Sequence, residues 1–153
     1  MVSIASYLKQ GADLVPLADF RGPIDDEDYI EGAIELSING KPLLTKAQVD
    51  YVDQIWAYLI QGMAEEVRED RPFTTYFPDC PIEVTLRPEP ARQQISVAVT
   101  LQQKRGAVIA SASLAEFKRT FVAEARRFFT TLLPLVSGHR GAYERLLEQL
   151  DTI

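Results

Sequence analysis

Between Thr45 and Glu69 apolar side chains return every three or four residues, at Val49, Val52, Trp56, Leu59 and Met63. Ile55, Ile60 and Val67 widen the stripe, while Gln48, Asp50, Asp53, Gln54, Gln61, Glu65 and Glu66 fall mostly opposite. That is the period of an amphipathic helix with one side packed against apolar neighbours. Thr45 and Gln48 have the spacing of a capping box, and Pro72 follows the charged run that closes the pattern. The spacing predicts one helix over 46–69, and the remainder of the chain must cover its apolar side.

Residues 1–29 read as an irregular N-terminal segment. A short helix is expected over Ser3–Gln10, stopping near Gly11, and a short strand at Leu14–Leu17, which Pro16 confines to a sheet edge. Arg21-Gly22-Pro23 is a turn. Asp25-Asp26-Glu27-Asp28 belongs to an exposed loop, because burying four like charges leaves them unpaired.

Beyond Ile30 the chain becomes regular. Ile34, Leu36 and Ile38 alternate with Glu35 and Ser37, and Asn39-Gly40 supplies the tight turn into a short return, Lys41–Leu44. After the helix, Phe73–Phe77 is β-prone, and Ile82, Val84 and Leu86 alternate with Glu83, Thr85 and Arg87. Pro88 to Arg92 connects to a strand with Ile95, Val97, Val99 and Leu101 on one side; Gln102 to Gly106 is a hairpin tip leading to Ala107–Ala112. Strands joined by such short turns form an antiparallel meander. Ser113 and Glu116 open a second long helix over 114–132, which Pro134 stops, and a short helix with Tyr143, Leu146, Leu147 and Leu150 inward ends the chain. The order predicts a single α+β domain spanning 1–153: a two-layer sandwich, its mainly antiparallel sheet of about four to five strands carrying two long helices on one face.

At 153 residues, one domain can bury about 70% of its unfolded surface. No apolar run suits a membrane span, the first residues lack the basic and apolar regions of a secretory signal, and the single Cys80 permits no internal disulfide. A cytoplasmic location is expected. From Asp13 to Glu89 there are 17 acidic and 6 basic residues; from Pro90 onward there are 5 and 9. The acidic part repels phosphate backbones and anionic lipid and attracts basic partners, so neither nucleic acid nor membrane is an expected partner.

Catalytic chemistry is sparse. His139 is the only histidine and no motif gives it an orienting partner. Cys80 follows Asp79, whose charge raises a thiol pKa, the wrong direction for a nucleophile. Asp50 with Asp53, and Glu66 with Glu69, share helix faces but lack the histidines of di-metal sites, and the run Asp25–Asp28 with Glu31 lacks the glycine and closing glutamate of a calcium loop. Glycine-rich phosphate loops and nucleophile elbows do not occur. Lys104, Arg105, Lys118, Arg119, Arg126 and Arg127 gather on the hairpin and second helix of an otherwise acidic chain. No metal, cofactor or catalytic residue is expected.

The run Ile34-Glu-Leu-Ser-Ile-Asn-Gly-Lys-Pro-Leu-Leu, with Val52-Asp-Gln-Ile-Trp-Ala-Tyr-Leu and Tyr76-Phe-Pro-Asp-Cys-Pro-Ile, resembles small bacterial immunity proteins, the cognate inhibitors of polymorphic or contact-delivered toxins. The resemblance spans roughly Glu31 to Phe129 and implies a non-catalytic binder whose partner is a protein, such as a basic toxin domain. Aromatic residues bordering an acidic surface suit such an interface. The expected contact residues are Asp25, Asp26, Glu27, Asp28, Glu31, Asp50, Tyr51, Asp53, Gln54, Tyr58 and Glu65. The alternatives are a scaffold that self-associates, as in a homodimer, and a small-ligand enzyme with a pocket between helices and sheet.

Overall fold

The computed structural model describes residues 1–102, 104 and 106–153. Nine strands and three helices follow in order: β1 (Val2–Gln10), β2 (Asp13–Pro16), β3 (Glu31–Ile38), β4 (Lys41–Leu44), β5 (Asp50–Tyr51), α1 (Val52–Glu65), β6 (Phe73–Tyr76), β7 (Ile82–Glu89), β8 (Gln94–Leu101), β9 (Ala107–Ser113), α2 (Leu114–Leu132) and α3 (Arg140–Leu150). The α+β class and the antiparallel pairing stand as expected. The strands, however, divide between two sheets, one ordered β2-β1-β3-β4 with β5 added to β3, the other β6-β7-β8-β9.

The second sheet arises because β1 is a strand, where a helix was expected. Ile4 and Leu8 lie four apart, a spacing that fits both periods, and Val2, Ile4, Ser6 and Leu8 also alternate with Ser3, Ala5, Tyr7 and Lys9. Pairing with β3, from Val2 opposite Ile38 to Leu8 opposite Gly32, decides for the strand. Residues 1–29 are therefore not irregular; β2 is the expected edge strand. Asn39 and Gly40 turn into β4 with φ of 51° and 79°, the left-handed pair that an Asn-Gly hairpin supplies.

The organising helix is shorter than its periodicity suggests. Thr45 and Gln48 do form a reciprocal cap: the Thr45 N–H donates to Gln48 Oε1 at 2.7 Å and the Ala47 N–H to Thr45 Oγ1 at 3.2 Å. The turn does not propagate. Asp50–Tyr51 extends instead to pair with Glu31–Gly32, and the helix starts at Val52. Tertiary pairing thus outweighs local helix preference. At the other end Glu65 is the last α-helical residue, with a 3₁₀ turn at Val67–Glu69.

Both sheets turn their apolar faces to the helices. Ile4, Ile34 and Leu36 from the first and Val84 and Leu86 from the second meet Trp56, Phe117 and Phe121 around a residual void of about 20 Å³. Trp56 is fully buried, edge-on to Phe121 at 5.3 Å, and its Nε1–H donates to Ser6 Oγ at 3.2 Å. The second half of β1 pairs with β2 and leaves the outer side of its first half open. There α2 supplies side chains in place of a strand: Glu116 accepts the Val2 N–H at 2.9 Å and Glu124 the Ser6 N–H at 2.8 Å. No described helix is long and apolar enough to cross a membrane.

Candidate functional site

The loop from Phe20 to Ile30 joins β2 to β3, anchored by buried Phe20 and Ile30 and partly buried Ile24. Its carboxylates divide into two pairs. Asp25 and Asp26 are exposed, and among the described residues the Asp26 carboxylate accepts only the Asp28 N–H, at 3.0 Å. Glu27 and Asp28 turn toward the α2–α3 connection. Glu27 accepts the backbone N–H groups of Ser137 and Gly138, the latter at 3.0 Å, and these donors hold its carboxyl below the usual range. Asp28 lies 2.8 Å from His139 Nε2.

Next to Asp25 and Asp26 stands Tyr29, with Tyr51 behind it. Tyr29 is 59% exposed and meets Tyr51 edge-on, with ring centroids 5.3 Å apart. Partial burial is the main cause that pushes the Tyr51 hydroxyl above its ordinary pKa, with Asp79 second. Glu31 completes this shelf, paired with Lys9 at 3.0 Å. A hollow of about 290 Å³ runs beneath it, bordered by Lys9, Pro23, Asp25, Asp26, Tyr29 and Glu31.

Two expected contact residues lie inside the fold. Asp50 is 4% exposed, and its carboxylate accepts the N–H groups of Tyr51, Asp79 and Cys80 at 2.7, 3.0 and 2.7 Å. It ties β5 to the turn before β7 and is on no helix surface. Asp53 is 8% exposed; it accepts the Tyr143 hydroxyl at 2.8 Å and the Gln54 N–H at 2.9 Å. Burial raises the Asp53 carboxyl above its usual range despite these donors, and it pushes the Tyr143 phenol up further. Of the other expected residues on α1, Gln54 is half-buried while Tyr58 and Glu65 are exposed. Tyr58 and Glu65 lie apart from the shelf, beside β6, and Gln54 borders the cavity that holds His139.

His139 has a partner that no local motif announced. It pairs with Asp28, stacks on Tyr143 at 6.2 Å and borders a cavity of about 290 Å³ with Glu27, Asp28, Asp53 and Tyr143. Two pairs of the cavity's polar groups satisfy one another, His139 with Asp28 and Tyr143 with Asp53, while Glu27 accepts from the Ser137 and Gly138 N–H groups. Cys80 donates its thiol to Val49 O at 3.3 Å, and burial, then Asp50, raises its pKa. Asp79 contributes least, so the carboxylate that matters is 30 residues away in sequence.

On α2, Arg127 forks onto Glu124 at 2.9 and 3.1 Å, and Arg126 pairs with Asp151 at 2.7 Å. Lys118 is half-buried, while Lys104 and Arg119 are exposed; Arg105 lies outside the described residues. Among the described residues no group of three or more His, Cys, Asp or Glu side chains is arranged to hold a metal ion. No protein family matches this chain, and no curated protein or solved structure is significantly similar to it.

Proposed function

We propose that the protein is a non-catalytic binder of the immunity type, which neutralises a basic protein partner through the shelf of Asp25, Asp26, Tyr29, Glu31 and Tyr51. The observation that carries this reading is the position of two exposed carboxylates beside the exposed Tyr29, which meets the half-buried Tyr51 edge-on. Tyrosine gives contact area with little entropy to lose, and unpaired carboxylates steer a cationic partner and speed its association. The excess of acidic over basic residues between Asp13 and Glu89 extends the same field. Asp50 and Asp53 are engaged inside the fold, and Glu27 and Asp28 hold the shelf's loop to the α2–α3 connection, so these four carboxylates anchor rather than face the partner.

The test is co-expression with the products of neighbouring genes. A basic, growth-arresting product should be neutralised by the wild-type protein, and the complex should form more slowly as salt is raised. The double variant Asp25→Lys, Asp26→Lys should lose protection while keeping its unfolding midpoint. If no neighbouring product is toxic or bound, or if the double variant protects fully, the reading fails.

A further inference from the structure

The edges of the sheets are not treated alike. The first half of β1 is closed by Glu116 and Glu124, β2 is short and carries Pro16, and Lys41 Nζ caps the Ile109 carbonyl of β9 at 2.8 Å. Charges, prolines and covering elements are the usual guards of a free edge. The end strand β6, Phe73-Thr74-Thr75-Tyr76, is as short as β2 and follows Pro72, but it carries no charge or proline within it, and no described strand pairs with its outer side.

Its open side can be read from the ladder. The Phe77 N–H donates to Ile82 O at 2.9 Å, continuing the register in which Phe73 faces Leu86 and Thr75 faces Val84. By the two-residue alternation of a strand, Phe73 and Thr75 direct their backbone groups toward β7, while Thr74 and Tyr76 direct theirs away from it. The Thr74 and Thr85 hydroxyls, 2.8 Å apart, fit that assignment, since side chains approach closest in the non-hydrogen-bonded pairs.

Beside this edge runs a groove of about 400 Å³ whose far wall is α1. Its width is set by Gly62, where a Cβ would stand 2.2 Å from the Phe73 ring, so α1 and β6 approach closely there and open on either side. Tyr58, Gln61, Glu65 and Glu66 line the helical wall, and no lysine or arginine is among the lining residues. Glu66 is neutralised by Arg71 at 2.8 Å, whereas Arg71 reaches only the backbone carbonyl of Glu65. The Glu65 carboxylate is exposed and has no ion-pair partner among the described residues.

We propose that this groove binds an extended, basic peptide segment, which adds to the second sheet as a strand alongside β6. The backbone groups of Thr74 and Tyr76 supply the hydrogen bonds. Every second side chain of the incoming strand then faces α1, where a lysine or arginine meets Glu65 and its aliphatic stem lies on Tyr58. The charge of the lining selects the partner's sign, and the edge selects its conformation. The groove lies on a different part of the surface from the shelf, and the proposal stands or falls separately from that reading.

The probe is an eight-residue peptide of alternating lysine and valine, compared with its glutamate–valine counterpart, by titration and amide hydrogen exchange. The lysine peptide should bind, the glutamate peptide should bind at least about tenfold more weakly, and exchange should slow at Thr74 and Tyr76. Thr74→Pro removes an outward N–H and the exposed hydroxyl bond to Thr85 but none of the backbone bonds of β6 to β7, and should weaken binding about tenfold or more. Glu65→Lys should reverse the preference between the two peptides. If Thr74→Pro does not fold, lysine–valine peptide N-methylated on alternate residues replaces it and should fail to bind. Asp25→Lys should leave peptide binding unchanged. Equal binding of both peptides, no binding at all, or unaltered exchange at Thr74 under saturation overturns the proposal, whatever becomes of the shelf.

Discussion

Glu124 Oε1 accepts the backbone N–H of Ser6 at 2.8 Å across 118 residues of chain. The same oxygen accepts from Arg127, and Ser6 Oγ in turn receives the indole N–H of Trp56. A strand edge, two helices and the centre of the core therefore share one buried polar chain. Glu124→Leu strands the Ser6 amide and should cost about 1–3 kcal/mol, while Glu124→Gln keeps an acceptor and should cost less. Urea unfolding checks this through a lowered midpoint at constant slope.

Trp56 is the only tryptophan, and it is fully buried. Its native emission should be blue-shifted and move red on unfolding. Trp56→Ala should destabilise by about 3–5 kcal/mol, through lost contact and the cavity left among Phe121, Phe128 and their neighbours. Trp56→Phe keeps most of the packing and loses the bond to Ser6, so its cost should be clearly smaller.

Asp53 and Glu27 give opposite responses to acid. Asp53 has a folded pKa raised above the ordinary 3.8, so its contribution is fully present below that value and is lost as pH rises through the raised one. Glu27 has a folded pKa lowered from 4.5, so its contribution is present above 4.5 and is lost as pH falls through the lowered value. In denaturation midpoints across the acid range, Asp53→Asn should gain on wild type as pH rises, and Glu27→Gln should gain on it as pH falls. A pair of parallel profiles would contradict both assignments. Tyr143→Phe removes the donor that restrains Asp53, and its cost should shrink toward low pH.

Cys80 should react slowly with thiol reagents in the native state, since burial and Asp50 both disfavour its thiolate. Asp50→Asn removes one of those causes and should speed alkylation in the native protein. It also leaves fewer acceptors for the Asp79 and Cys80 N–H groups, at a cost of about 1–3 kcal/mol in unfolding experiments.

What could be read in advance divides along sequence distance. The second helix spans 114–132 as expected, because Ser113 and Pro134 mark its ends locally. The Ser113–Glu116 box is half right: the Glu116 N–H does donate to Ser113 Oγ at 3.3 Å, but its carboxylate turns to Val2. The hairpin at Asn39-Gly40 and the β6–β9 meander were legible for the same local reason. The strand at 2–10 was not, since its spacing suits either period until β3 is placed beside it. The start of α1, the burial of Asp50 and Asp53, and the pairing of Asp28 with His139 all depend on groups far along the chain. Two of the residues expected on the outside were thus internal anchors.

The closure of β1 by α2 also has a bearing on synthesis. A nascent chain that has already paired β1 with β2 leaves the Val2 and Ser6 N–H groups without their acceptors until Glu116 and Glu124 have been added, the second of them 118 residues after Ser6. The strand pairings of the first sheet need only residues 2–51, so the sheet can form early while the cover of this one edge is the late step, and until then the edge is open to wrong pairing.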